Sequence, residues 1–108
     1  MTKIKIFLMF SALSAFLFSC TKQSEETIWN SAKSKMDEAA KLRDENKQAE
    51  HDKACREAAE LLKQYITEYQ SSEKLPEVYN SLAVIYMSDL MDYNNAAKYF
   101  IELSEKYP

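Results

Sequence analysis

The chain has 108 residues, room for one small domain, and its 46% hydrophobic and 29% charged content is that of a globular protein, not a disordered or collagen-like one. It contains no glycine; hairpins, phosphate-cradling loops and nucleophile turns commonly use glycine for positive φ or close backbone approach, so helices joined by undemanding turns are expected and most enzyme architectures are disfavoured. With 14 Lys and Arg against 17 Asp and Glu, the chain is acidic and lacks the clustered basic face that nucleic acid requires.

The first element is a leader. Lys3 and Lys5 precede an uncharged apolar run from Ile6 to Phe18, too short for the roughly 20 residues that span a bilayer as a helix. It predicts the hydrophobic region of a secretory signal and not a buried core helix. Leu17-Phe18-Ser19-Cys20 resembles the bacterial lipobox, with an aliphatic residue at −3, a small one at −1 and Cys at +1. The resemblance implies cleavage after Ser19 and a diacylglyceryl group on the Cys20 sulfur, and two or three acyl chains on one residue anchor stably. A plain secretory signal followed by an incidental Cys is the alternative. The expected organisation is a signal at 1–19, a lipidated Cys with a short tether at 20–27 and a helical domain at 28–108. Loss of Lys3 and Lys5 with the signal leaves 12 basic side chains against all 17 acidic ones, a formal charge of −5. Under the family's sorting rules, Thr21 after the lipidated Cys implies the outer membrane, facing the periplasm, in a Gram-negative cell. Glu25 and Glu26 are similar to the acidic export signals of some surface lipoproteins, which makes the cell surface the second location.

From Ile28 the periodicity is helical. Ile28, Trp29, Ala32, Met36, Ala39 and Ala40 form one stripe, and the polar "RDENKQAEHDK" after it contains an unplaced turn. A second stripe runs through Ala54, Ala58, Leu61, Leu62, Tyr65, Ile66 and Tyr69. Pro76 suits the first turn of a third helix, where its missing N–H costs nothing. Val78, Tyr79, Leu82, Ala83, Ile85, Tyr86 and Leu90 give the third face. Asp92 or Asn94 is the candidate cap of the fourth helix, whose face is Tyr93, Ala96, Ala97, Phe100, Ile101, Leu103 and Tyr107. The expected fold is all-α, four antiparallel helices.

The second helix pair carries a repeat motif. Tyr79, Leu82, Ala83 and Tyr86 have the spacing of the tetratricopeptide signature W-x2-L-G-x2-Y, followed by Ala96-x3-Phe100 and Pro108, with one extra residue in the inter-helix turn. The match over 76–108 is the clearest; Ala58-x3-Leu62 and Tyr69-Gln70 form a fainter copy 38 residues earlier. With the lipobox, the chain resembles the tetratricopeptide lipoproteins of bacterial envelopes, a group similar to the assembly lipoprotein of the outer-membrane β-barrel machinery and to the repeat domain of the Tol-Pal-linked coordinator. The resemblance implies two helical hairpins, with Tyr79, Leu82, Ala83, Tyr86, Ala96, Phe100 and Pro108 as packing residues, and a non-catalytic module that binds another envelope protein. The first helix of each pair would line the binding face. That assigns Glu77, Asn80, Val84, Met87 and Ser88 to it, with Asn80, Val84 and Met87 as the partner-binding residues, and Asn30, Ser34, Asp37 and Glu38 from the first pair. No Lys or Arg stands at these positions, so a basic or amphipathic segment fits better than a C-terminal carboxylate.

Two repeats fall short of the three that usually bury their faces, so self-association, a larger partner or a truncated gene is expected to cover the last helix. The alternative functions are therefore a self-assembling structural lipoprotein and, in another class, a fragment of a cell-wall enzyme. The residues point away from catalysis. His51 is the single histidine, and His51 with Cys55 at i, i+4 supplies two ligands where structural zinc takes four; a solvated His and a helix-packing Cys are expected, with no metal. The carboxylates of "DEAAKLRDE" read as a solvated face, and the tyrosines of the fourth helix as core and not a sugar-stacking platform. No cofactor beyond the lipid on Cys20 and no small-molecule substrate is expected.

Overall fold

A computed structural model describes residues 23–108 of the protein. The expected signal segment 1–19, with Ser19, and the expected lipidation residue Cys20 lie outside the described residues. The fold is all-α. Four helices form two antiparallel hairpins: α1 (Glu25–Asp44) with α2 (Gln48–Glu68), and α3 (Leu75–Val84) with α4 (Tyr93–Lys106). The last turn of the third helix, Ile85–Asp89, is π-helical. Among the described residues no helix is long and apolar enough to cross a membrane.

α1 begins three residues before the first residue of its apolar stripe. Ser24 Oγ accepts the Thr27 N–H at 3.1 Å, and Glu25 and Glu26 occupy the first turn, where carboxylates complement the helix dipole. The expected tether 20–27 therefore ends in helix. This end is also tied down. The hydroxyls of Tyr65 and Ser72 both donate to the Glu25 carboxylate, and the Tyr69 hydroxyl donates to the Gln23 carbonyl. The start of α1 is thus fastened to the end of α2 and to the loop between α2 and α3.

The turns are more demanding than the absence of glycine suggests. Each hairpin turn holds one residue in the left-handed region, Asn46 at φ 59° and Met91 at φ 54°. Asn46 ends α1 in a Schellman motif, with the Lys47 N–H on the Leu42 carbonyl and the Asn46 N–H on that of Arg43, both at 3.0 Å. Asn tolerates this conformation through its short polar side chain. Met91 has no such aid. There the Asp92 N–H reaches back to the Tyr86 carbonyl at 2.7 Å, a wider closure that results from the π-helical turn before it. Asp92, the first of the two candidate caps, then accepts the Asn95 N–H at 3.2 Å.

The extra residue of the repeat spacing is therefore taken up inside the helix at Ile85–Asp89, not in the loop. A π turn inserts one residue into the helical ladder, and each added residue rotates the rest of the helix by about 100° around its axis. That rotation decides where Asp89 lies.

Helices touch their neighbours in sequence and skip the others. α1 packs on α2, α2 on α3 and on the π turn, and α4 only on α3 and the π turn, the nearest-neighbour pattern of a solenoid. The first seam is built on Ile28, Ala32, Ala39, Ala54, Cys55, Ala58, Ala59, Leu62 and Tyr65, all buried. In the second hairpin Tyr79, Leu82, Ala83, Tyr86 and Ala96 are buried. Phe100 is half-buried and packs on the core. Pro108, expected as a packing residue, is exposed. The stripe of α4 also differs from its periodicity: Tyr93, Ala97, Ile101 and Tyr107 are exposed, while Tyr99, outside the stripe, is buried and stacked on Tyr86 with ring centroids 5.8 Å apart. With α3 as its main support, α4 has only a narrow face to bury.

Candidate functional site

No Cα atom of α1 comes within 8 Å of one in α3; both lean on α2, and a groove of about 240 Å³ opens between them. From α1 it is lined by Met36, Ala39, Ala40 and Arg43. The opposite wall is Asn80, Ser81, Val84 and Ile85 from the third helix, and Cys55 and Asp89 close one end. Most of the lining is apolar; Asn80 and Ser81 add an amide and a hydroxyl, and Arg43 meets Asp89 at 3.5 Å from guanidinium to carboxylate. Such a mixture of apolar area with few convergent polar groups is typical of a binding cleft.

Two of the three predicted partner-binding residues, Asn80 and Val84, line this groove. Met87, equally exposed, is not among the lining residues; the π turn starts at Ile85 and swings it out of the α3 register. On α1 the assignment shifts. Asn30, Ser34, Asp37 and Glu38 lie outside the groove, whose wall is Met36, Ala39, Ala40 and Arg43. Met36, Ala39 and Ala40 belong to the apolar stripe, and Arg43 follows Ala39 and Ala40 at i, i+4 and i, i+3 spacing, so the stripe faces both α2 and the groove. The groove also holds a cation, contrary to the all-neutral and acidic lining expected.

Below the groove sits a polar cluster that one element alone does not reveal. His51, expected in solvent, is 3% exposed. Its Nδ1 lies 2.8 Å from the Ala39 carbonyl; a carbonyl only accepts, so Nδ1 carries a proton and donates it there. Cys55 Sγ lies 3.6 Å from Nε2 and 3.9 Å from Nδ1, and Asp89 Oδ1 lies 3.8 Å from Nε2. His51 and Cys55 share a face of α2 at i, i+4, while Asp89 arrives from the π turn. Helical periodicity does not find Asp89; the signal that could have is the extra residue in the repeat spacing.

Burial, then the nearby carboxylates of Asp89 and Asp52, push the Cys55 thiol up to about 11, against the pull of Arg43 and Arg56. A nucleophilic cysteine needs the opposite displacement. The three groups instead present one nitrogen, one sulfur and one oxygen, all within 4.8 Å of one another, a donor set that suits a borderline-soft cation.

Comparison with protein-family models, with curated proteins and with solved structures finds no match to this chain.

Proposed function

We propose that the protein is a lipid-anchored module of the bacterial cell envelope whose α1–α3 groove receives a segment of another envelope protein, without catalysis of its own. The observation that carries this reading is the groove itself. In a two-hairpin stack of the tetratricopeptide kind, the first helices of the pairs form the receptive face, and Asn80 and Val84 lie on its wall. Met36, Ala39, Ala40, Val84 and Ile85 offer an apolar strip, and Arg43 and Asp89 offer both signs of charge at one end. The chemistry fits an amphipathic segment that lays apolar side chains along the strip and places a polar one at the charged end. The lipobox-like "LFSC" supplies the anchor in this reading. The stretch left between Cys20 and the cap Ser24 holds the groove close to the bilayer, since each extended residue spans at most about 3.6 Å.

The test is photo-crosslinking in cells from a benzophenone amino acid at Val84 of the full-length protein, with mass spectrometry of the membrane fraction. A single dominant foreign protein, lost when Cys20→Ala releases the anchor, is expected. Crosslinks that are absent, or unchanged by Cys20→Ala, overturn the reading.

A second reading is favoured by a separate observation. On and beside α4, Met91 is 69%, Tyr93 64% and Ile101 54% exposed, an apolar surface that self-assembly would cover. Crosslinks that join only copies of this chain, from Ile101 and not from Val84, support a structural lipoprotein instead.

A further inference from the structure

We propose that His51 Nε2, Cys55 Sγ and a carboxylate oxygen of Asp89 form a three-ligand site for a divalent transition-metal ion, zinc foremost, with a fourth position open to the α1–α3 groove. The site stands on geometry independent of what occupies that groove.

The two nitrogen distances approximate a coordination sphere, and all three ligand atoms lie within 4.8 Å of one another. Zinc bonds of ordinary length at tetrahedral angles separate neighbouring N, S and O ligands by roughly 3.4–3.6 Å. Here nitrogen to sulfur is 3.6 Å and nitrogen to oxygen 3.8 Å. Both nitrogen distances are too long for strong hydrogen bonds, yet small rotamer adjustments would bring all three atoms onto one ion. The outer contact is also in place. A metal-bound imidazole generally donates its second N–H to a carbonyl or carboxylate, which holds the ring and its tautomer. His51 does so to Ala39 at 2.8 Å.

His51 and Cys55 are 3% and 1% exposed, and the bond to the Ala39 carbonyl fixes the ring in that buried position. Arg43 now holds Asp89 at 3.5 Å, but that side chain is 59% exposed and can turn into solvent when a cation takes its place. On binding, the sulfur–hydrogen bond breaks and its proton leaves to solvent as the sulfur–metal bond forms; His51 gives a lone pair and loses nothing. Thiolate and carboxylate then balance the two charges of the ion. No oxidant or reductant is required.

The ion would tie α2 to the π turn, and so the first hairpin to the second. Cys55 and Asp89 both line the groove, which leaves the remaining coordination position facing it. Three protein ligands with one open position is the composition of zinc sites that bind a further ligand, in contrast to closed four-ligand structural sites.

The experiment is a Co²⁺ titration of the purified full-length chain carrying Cys20→Ala, which removes the other thiol, with Zn²⁺ back-titration afterwards. One equivalent of Co²⁺ should give a thiolate-to-cobalt charge-transfer band and the visible bands of a four-coordinate ion, and Zn²⁺ should displace it. Cys55→Ser should abolish the charge-transfer band, and His51→Gln and Asp89→Asn should each weaken binding at least about tenfold, the lower bound for disturbing even an outer contact. Asp89 is half-buried at a helix end, so Asp89→Asn keeps the test valid even if a substitution in α2 unfolds the chain. Absence of the charge-transfer band, its survival in Cys55→Ser, or unchanged affinity in a folded Asp89→Asn chain would overturn the proposal.

Discussion

The two hairpins close on different side chains. Between α1 and α2 the seam carries five buried alanines, Ala32 and Ala39 on one side and Ala54, Ala58 and Ala59 on the other, between larger residues such as Ile28, Leu62 and Tyr65. Small residues let the two backbones approach, and helices of 20 and 21 residues run side by side over most of their length. Between α3 and α4 the space is filled by tyrosine. Tyr99 stacks on Tyr86 and meets Tyr79, which also contacts Tyr107, across helices of 10 and 14 residues. Aromatic rings bury much area per residue, yet they leave the back of α4 open. The hairpin whose spacing resembles a repeat signature is therefore the less enclosed of the two. A motif marks which residues meet; length and second neighbours decide how well the result is sealed.

The sharpest contrast is expected from a pair of truncations. Leu62 in α2 is 0% exposed, and Leu62→Ala should destabilise the protein by about 3 kcal/mol through lost burial and the cavity left behind. Ile101 on the outer face of α4 should cost no more than about 0.5 kcal/mol on truncation to Ala. Urea unfolding of the purified chain measures both. Equal losses would mean that α4 buries its outer face against something, and the comparison would break.

Particular residues explain how far the sequence is legible. Tyr79, Leu82, Ala83 and Tyr86 are readable because both partners of the contact obey one period, and Pro76 and Asp92 because turn and cap chemistry is local. Periodicity starts α1 three residues late because Ser24 and Glu25 act through a cap and through hydroxyls 40 and 47 residues away, which no local pattern encodes. Tyr99 falls outside the expected stripe because α4 buries only the narrow face that meets α3 and the π turn, on which Tyr99 follows Ala96 at i, i+3. The same turn hides the cluster below the groove. His51 and Cys55 look like an incomplete pair on one helix until the insertion delivers Asp89, and the burial of His51 depends on the Ala39 carbonyl of another helix.

A smaller effect tests how much α4 leans on its own local structure. Asp92 caps α4 through the Asn95 N–H and side-chain amide at 3.2 and 2.7 Å, whereas α2 and α3 have no side-chain cap and rely on packing. Asp92→Ala should cost about 1 kcal/mol. Hydrogen exchange should locate that loss in α4, with the α1–α2 amides unchanged, because local opening is easiest where few buried contacts oppose it. Uniformly faster exchange would mean that the two hairpins open together.

The smallest effect concerns acid, and it sharpens the comparison from the other side. The hydroxyl of Ser72, then that of Tyr65, with a lesser contribution from Lys74, hold the Glu25 carboxyl below its ordinary range, against an opposing effect of burial. A carboxyl depressed on folding contributes stability that is fully present above its unfolded pKa and is lost as pH falls through the folded value. Glu25→Gln should therefore be destabilising at neutral pH, and the gap to the unmodified chain should narrow as pH falls below about 4.5. Tyr65→Phe should flatten the same acid limb in part, since it removes one of the two donors but leaves Ser72. Asp92 is also depressed, by the Asn95 side chain and then its backbone, but its bonds span only three residues. If the two differ in reach as they do in geometry, the Glu25 acid response should appear in global unfolding and that of Asp92 in local exchange of α4. An acid limb that is the same with and without the Glu25 carboxyl would mean that the bond between the start of α1 and the end of α2 contributes nothing to the seal of the first hairpin, whose closure would then rest on its buried seam of alanines with Ile28, Leu62 and Tyr65.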